Sequence, residues 1–124
     1  MDKNEIILLH GTEYQQMAVH LMRAADLQKD IGDRTQRIGI KPNLVVDAPA
    51  ASGATTHPEL VAGVIEYLQQ EGFQNLVVLE GSWVGARTSA AYVASGLGDV
   101  CERYHVPFID LQKDSSRSCR ARLH

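Results

Sequence analysis

Lys41, Asn43, Thr55, Thr56, His57, Glu80, Gly81 and Ser82 are the residues of this chain whose types and spacing suit the binding of a small anion. The first five stand on one stretch, Lys41-Pro-Asn-Leu-Val-Val-Asp-Ala-Pro-Ala-Ala-Ser-Gly-Ala-Thr-Thr-His57, followed by Pro58-Glu59. An apolar strand ending at Ile40 delivers the lysine, and a loop of small residues leads into a helix that opens at Thr56 or His57. The ammonium then faces a helix N-terminus, whose unpaired N–H groups and partial positive charge favour a phosphate or carboxylate. Thr55 and Thr56 offer hydroxyls to such a group, and one of them is expected to cap the helix. His57 is a candidate acid or base, because imidazole titrates near neutrality, or it caps the helix beside Pro58. The loop contains neither G-x-x-x-x-G-K-[ST] nor G-x-G-x-x-G, so it is not one of the two familiar phosphate cradles.

A second polar group, Glu80-Gly81-Ser82-Trp83, follows another apolar run. Glu80 there can take a metal or a ribose hydroxyl, or stand as a solvated strand end, while Lys41 either pairs with a ligand anion or forms an ion pair with Asp47 or Glu80. Trp83 either stacks on a planar ligand or, as lone tryptophans more commonly do, covers the core. Arg87 is a second candidate anion contact or a solvated surface residue. His10, His20, His105 and His124 form no cluster.

The elements that must hold these groups alternate. Glu5–His10 (E-I-I-L-L-H) reads as a buried strand that stops at Gly11. A helix begins at Thr12, with Tyr14, Met17, Ala18, Leu21 and Ala25 at helical spacing. Arg37–Val46 reads as a second strand, paired over Arg37–Lys41 because Pro42 removes a ladder donor. Pro58–Gln70 is a helix with Leu60, Val61, Val64, Ile65 and Leu68 as its stripe and Gly72 as its stop. Its start carries two signals, a Thr56-x-x-Glu59 capping box and Pro58 at the first helical position. Asn75–Leu79 is a third strand, Ser89–Tyr104 a helix weakened at Gly96 and Gly98, and Val106–Leu111 a fourth strand. The expected fold is α/β, an open and mainly parallel sheet of about four strands with helices on both faces, Rossmann-like and incomplete as a domain. Ligands of such sheets bind beyond the C-terminal strand ends, where the loops named above lie.

At 124 residues the chain has room for one domain, here residues 1–112, followed by a tail of 113–124. No apolar run approaches the ~18–20 residues that span a bilayer, and the N-terminus lacks a secretory signal, so a cytoplasmic location is expected. Residues 1–114 hold nine Lys/Arg against fifteen Asp/Glu, a net −6, while Arg117, Arg120 and Arg122 give the last ten residues +3. That acidic body excludes a nucleic-acid binder. Cys101 and Cys119 form no C-x-x-C pair and have no histidine at metal-ligand spacing, and Cys101 falls on an apolar helix side as a small hydrophobe. Residues 115–124, with Leu123 as the one large apolar residue, cannot bury enough surface to offset their ordering entropy and are expected to lack packing.

The segments Ile40-Lys41-Pro42-Asn43-Leu44-Val45, Gly53-Ala54-Thr55-Thr56-His57-Pro58-Glu59 and Glu80-Gly81-Ser82, in this order and spacing, resemble the domain of unknown function 362 family. The likeness covers about residues 5–112 and fades into the Ser/Arg-rich tail, as in a truncated member. The resemblance implies an α/β domain, found in proteins often described as iron–sulfur-cluster binding. The cluster cysteines of those proteins lie in ferredoxin-like segments that this chain lacks, so no cofactor is assigned. A more remote likeness to the nickel-pincer lactate racemases fails where those enzymes carry a histidine and this chain has Gly81-Ser82-Trp83-Val84. Two functional classes follow. One is an anion- or nucleotide-like small-molecule-binding domain in a redox-associated protein, and the other is a structural or interaction fragment. The fragment would have no activity of its own and would meet a copy of itself, or a missing partner segment, through an open sheet edge.

Overall fold

Three of the four expected strands form. A computed structural model describes residues 4–83 and 85–115, and β1 (Ile38–Ile40), β2 (Leu76–Glu80) and β3 (Phe108–Asp110) build one sheet in the order β1-β2-β3. Both ladders are parallel, with Ile38 opposite Leu76 in the first, and Val78 opposite Phe108 and Glu80 opposite Asp110 in the second. The helices are α1 (Tyr14–Ala24), α2 (Leu27–Ile31), α3 (Pro58–Gln70), α4 (Thr88–Ala94) and α5 (Leu97–Tyr104), and a single 3-10 turn spans Ala50–Ser52. The readings of Val84, Arg117, Cys119, Arg120, Arg122, Leu123 and His124 lie outside the described residues, as do residues 116–124 of the tail.

The first expected strand, Glu5–His10, does not form. Ile6 is 91 % and Leu8 74 % exposed, while Ile7, Leu8 and Leu9 line an apolar cavity of about 270 Å³ with Met17 and Leu21 of α1 and Leu60 and Val64 of α3. An apolar, β-branched run signals an extended segment, but its pairing depends on a neighbouring edge. Here no strand pairs with it, and only Ile7 is partly buried beside the helix layer. The expectation of helices on both faces is also revised. Parallel strands laid down in chain order and joined by right-handed crossovers put both crossover helices on one side, and α3 packs against α5 there.

That face holds the core. Leu76 and Val78 of β2 meet Val61, Ile65 and Leu68 of α3 and Leu97, Val100 and Cys101 of α5. Helix α3 matches the expected Pro58–Gln70 and is buried almost all round, because the sheet, α5 and α1 each take a side. Its closest neighbour is α1, which crosses at Gly63. A Cβ there would stand 2.3 Å from the Gln15 carbonyl oxygen and 2.7 Å from the Ala18 Cβ. Helix α3 ends as its sequence signals, with Gly72 at φ +90° and the Phe73 N–H on the Leu68 carbonyl at 2.9 Å. The expected Ser89–Tyr104 helix breaks in two at Gly96, whose φ is +79°.

Tyr92 of α4 stacks on Phe108 of β3, with ring centroids 4.3 Å apart, and its hydroxyl meets the Cys101 thiol. Burial, reinforced by that thiol, pushes the Tyr92 hydroxyl up to about 12, and burial likewise raises Cys101, against the lowering effect of the tyrosine. A phenol raised in the folded state contributes stability that is intact below about pH 10, its unfolded value, and is lost as pH climbs toward 12. The urea midpoint should therefore fall between those pH values, and Tyr92→Phe should flatten the fall. Parallel pH curves for the two proteins would refute this account of Tyr92.

Candidate functional site

The loop from Lys41 to His57 leaves β1 and returns to α3, and it is closed by its own polar groups. The Asn43 N–H donates to Thr56 Oγ1 at 2.8 Å, the Thr56 N–H donates to the Asn43 carbonyl at 2.9 Å, and Asn43 Nδ2 donates to the Ala54 carbonyl at 3.1 Å. Leu44 and Thr55 form an antiparallel bridge beside them. The loop after β2 is tied to it through the Trp83 N–H, which donates to the Val45 carbonyl at 3.1 Å. Two segments far apart in sequence thus form one surface at the C-terminal edge of the sheet.

Lys41 and Glu80 meet on that surface as an ion pair, one of the two pairings open to the sequence. The carboxylate is inside and the ammonium outside, with side-chain exposures of 7 % and 59 %. The second Glu80 oxygen accepts the Gly81 N–H at 2.8 Å. Glu80 therefore fixes the lysine from beneath and leaves most of its head in water. Gly81 faces the next strand's loop, since a Cβ there would lie 3.4 Å from that of Leu111.

The start of α3 follows the second of its two signals and not the Thr56 capping box. His57 occupies the N-cap position with Pro58 at the first helical position, yet no side chain bonds the helix N–H groups. Thr56 closes no capping box with Glu59, since His57 holds the N-cap position and the Thr56 hydroxyl accepts the Asn43 N–H. The His57 ring lies 4.5 Å from that of Tyr14, and Nδ1 is 3.9 Å from the Glu59 carboxylate. Thr55 is 5 % exposed, and its Oγ1 has no hydrogen-bond partner among the described residues. An unpartnered buried hydroxyl costs ~1–3 kcal/mol. Thr55→Val should thus raise the stability of the free protein by about 1 kcal/mol in urea unfolding. A lower midpoint would show that the hydroxyl is already satisfied.

Ser82 is drawn away from the ion pair. Its buried hydroxyl bonds the Ala86 carbonyl at 3.1 Å and lies 3.2 Å from Thr88 Oγ1, while its N–H donates to Thr88 Oγ1 at 3.1 Å. Gln112 completes this knot by donating to the Ser82 carbonyl at 3.0 Å and the Ala86 carbonyl at 3.3 Å. Sequence reasoning did not single out Gln112 or Thr88, and their one signal was position on strand-end loops. Trp83 does not cover the core, contrary to the commoner expectation, and is 67 % exposed. Arg87 is exposed as well, at the cap of α4.

Among the described residues no three His, Cys, Asp or Glu side chains are grouped to hold a metal ion. An iron–sulfur cluster takes four thiolates, and this chain has two cysteines, of which Cys101 is buried against Tyr92 with its thiol form favoured. The residues present do not fit that cofactor. No described helix is long and apolar enough to cross a membrane.

The architecture is that of an α/β domain with a parallel sheet, its polar loops gathered at the C-terminal strand ends. The family model described as "Domain of unknown function (DUF362)" matches residues 38–124, and the chain belongs to that family. No curated protein and no solved structure matches it. The match opens at the first residue of β1 and takes in all three segments that carried the resemblance. It starts later than residue 5 and runs past Leu111 to the end of the tail, so the Ser/Arg-rich residues fall within the family's span.

Proposed function

We propose that the domain binds a small molecule through a phosphate or carboxylate group at the C-terminal edge of its sheet. The observation that carries this reading is the Lys41 ammonium, held in place by buried Glu80 and still 59 % exposed. A lysine makes three donors available, and Glu80 takes one. The N-terminus of α3, without a side-chain cap, and the unpartnered Thr55 hydroxyl lie on the same loop and add donors suited to an anion. The reading stops at binding, because Ser82 is committed to Thr88, Ala86 and Gln112 and stands in no nucleophile–base pair. The redox association implied by the family likeness would require a cluster carried on another polypeptide segment.

Calorimetric titration with pyrophosphate and with citrate tests the proposal. Lys41→Gln should weaken whichever binds by about tenfold, in line with the ~1–3 kcal/mol of a charged hydrogen bond. Equal affinity in the variant, or no binding of either anion to the wild type, would sink it.

A second reading, an interaction domain, is favoured by one feature, the apolar Ile6 and Leu8 left in solvent. An extended apolar segment of this kind can add to an open sheet edge of another chain. Light scattering should then show a dimer that Ile6→Glu with Leu8→Glu dissociates. A wild-type monomer at high concentration counts against it.

A further inference from the structure

We infer that the ligand of this site carries a planar heteroaromatic ring, a nucleotide being the simplest case, stacked on Trp83 with its anionic group toward Lys41. The inference rests on the anion-binding reading above and adds the other half of the ligand. Trp83 is the one tryptophan of the chain and lies three residues beyond Glu80, yet it is 67 % exposed. Indole burial is among the largest apolar gains a side chain can make, so a tryptophan left outside the core leaves that gain unused. The residue is nevertheless held in place. Its N–H donates to the Val45 carbonyl at 3.1 Å, its carbonyl accepts the Ala86 N–H at 2.9 Å, and an edge of the ring lies 3.6 Å from where a Gly85 Cβ would be. An exposed aromatic ring on the strand-end loops that also carry a cation offers one group to stack a base and another to take a phosphate.

The neighbouring surface fits the same class of ligand. Asp47, two residues beyond Val45 on the loop that holds Trp83, lines an open groove of about 520 Å³ with Arg87, Ser89, Ala90, Val93 and Ala94 of the next segment. Val93 there is 75 % exposed. Asp47 and Arg87 offset each other's charge within the groove, whereas the Lys41 ammonium stands largely in water as the place for the phosphate, with the Trp83 side for the ring. A ligand without a ring would use Lys41 alone.

Because Trp83 is the sole tryptophan, intrinsic fluorescence of the full chain reads this contact directly. AMP and ribose 5-phosphate, which share a phosphate and differ in the base, are titrated side by side by fluorescence and by calorimetry, with pyrophosphate as a third probe. AMP should quench Trp83 saturably and bind roughly fivefold or more tightly than ribose 5-phosphate. Trp83→Ala should bring AMP to the level of ribose 5-phosphate, and Trp83→Phe should restore most of the difference. Equal binding of the two phosphates, without quenching, overturns the ring and leaves the anion reading standing. Absence of binding by all three probes overturns both. Quenching by AMP with unchanged affinity in Lys41→Gln supports the stacked ring and removes Lys41 as the anion's partner.

Discussion

Gly63→Ala should destabilise the protein by about 3 kcal/mol, at the upper end of the usual cost of overpacking. Intrinsic helix propensity alone would give the opposite sign, a gain of about 1 kcal/mol for replacing glycine inside a helix. The sign is set by α1. The new Cβ would sit 2.3 Å from the Gln15 carbonyl oxygen, and that oxygen belongs to a helical backbone that cannot rotate away. The Ala18 Cβ at 2.7 Å closes the second side. Relief requires α1 to lift from α3, and this would open the contact that buries Ala18 and Val19. Urea unfolding at an unchanged slope measures the effect, and a melting temperature lower by ~10 °C should accompany it. Ala18→Gly in the Gly63→Ala background should restore less than half, because it removes the more distant contact only. A Gly63→Ala protein as stable as the wild type would show that α1 does not cross α3 this closely.

Lys41→Met should cost about 2 kcal/mol, whereas Glu80→Gln should cost under about 1 kcal/mol. The two substitutions break the same ion pair, and the asymmetry comes from burial. Removing the lysine leaves the Glu80 carboxylate in a site where its side chain is 7 % exposed, with the Gly81 N–H as its remaining partner. Breaking a buried pair in this way costs ~3–5 kcal/mol when both charges are desolvated. Lys41 is 59 % exposed, so the attraction lost is partly screened and the lower figure applies. Removing the carboxylate charge instead releases an ammonium that already reaches water, and glutamine still accepts the Gly81 N–H. Chemical denaturation of both variants decides the matter. Equal losses, or a greater loss for Glu80→Gln, would mean that the carboxylate is not enclosed as described. The comparison also separates stability from binding, since Glu80→Gln keeps the ammonium that the proposed ligand would meet.

Periodicity and punctuation determined much of this protein directly. The spacing of Val61, Ile65 and Leu68, with Pro58 before and Gly72 after, marks α3 because helix ends and apolar stripes are written within a dozen neighbouring residues. The short apolar runs at Ile38–Ile40, Leu76–Glu80 and Phe108–Asp110 are likewise local signals, and the K-P-N-L-V and T-T-H-P segments were enough to point to the family. They also located the loops at the strand ends. The tertiary structure decided what those local signals do. Glu5–His10 carries the same apolar signature as the true strands but stays unpaired and largely exposed beside α1 and α3, since strand pairing is settled by an available edge and not by the run itself. Lys41 chose Glu80 over Asp47 across 39 positions of chain, and Thr56 gave its hydroxyl to Asn43 in place of the helix. Trp83 stayed outside on a surface loop whose backbone is tied to Val45. Each of these outcomes is a competition between partners distant in sequence, decided by distance and burial, quantities that only the folded chain possesses.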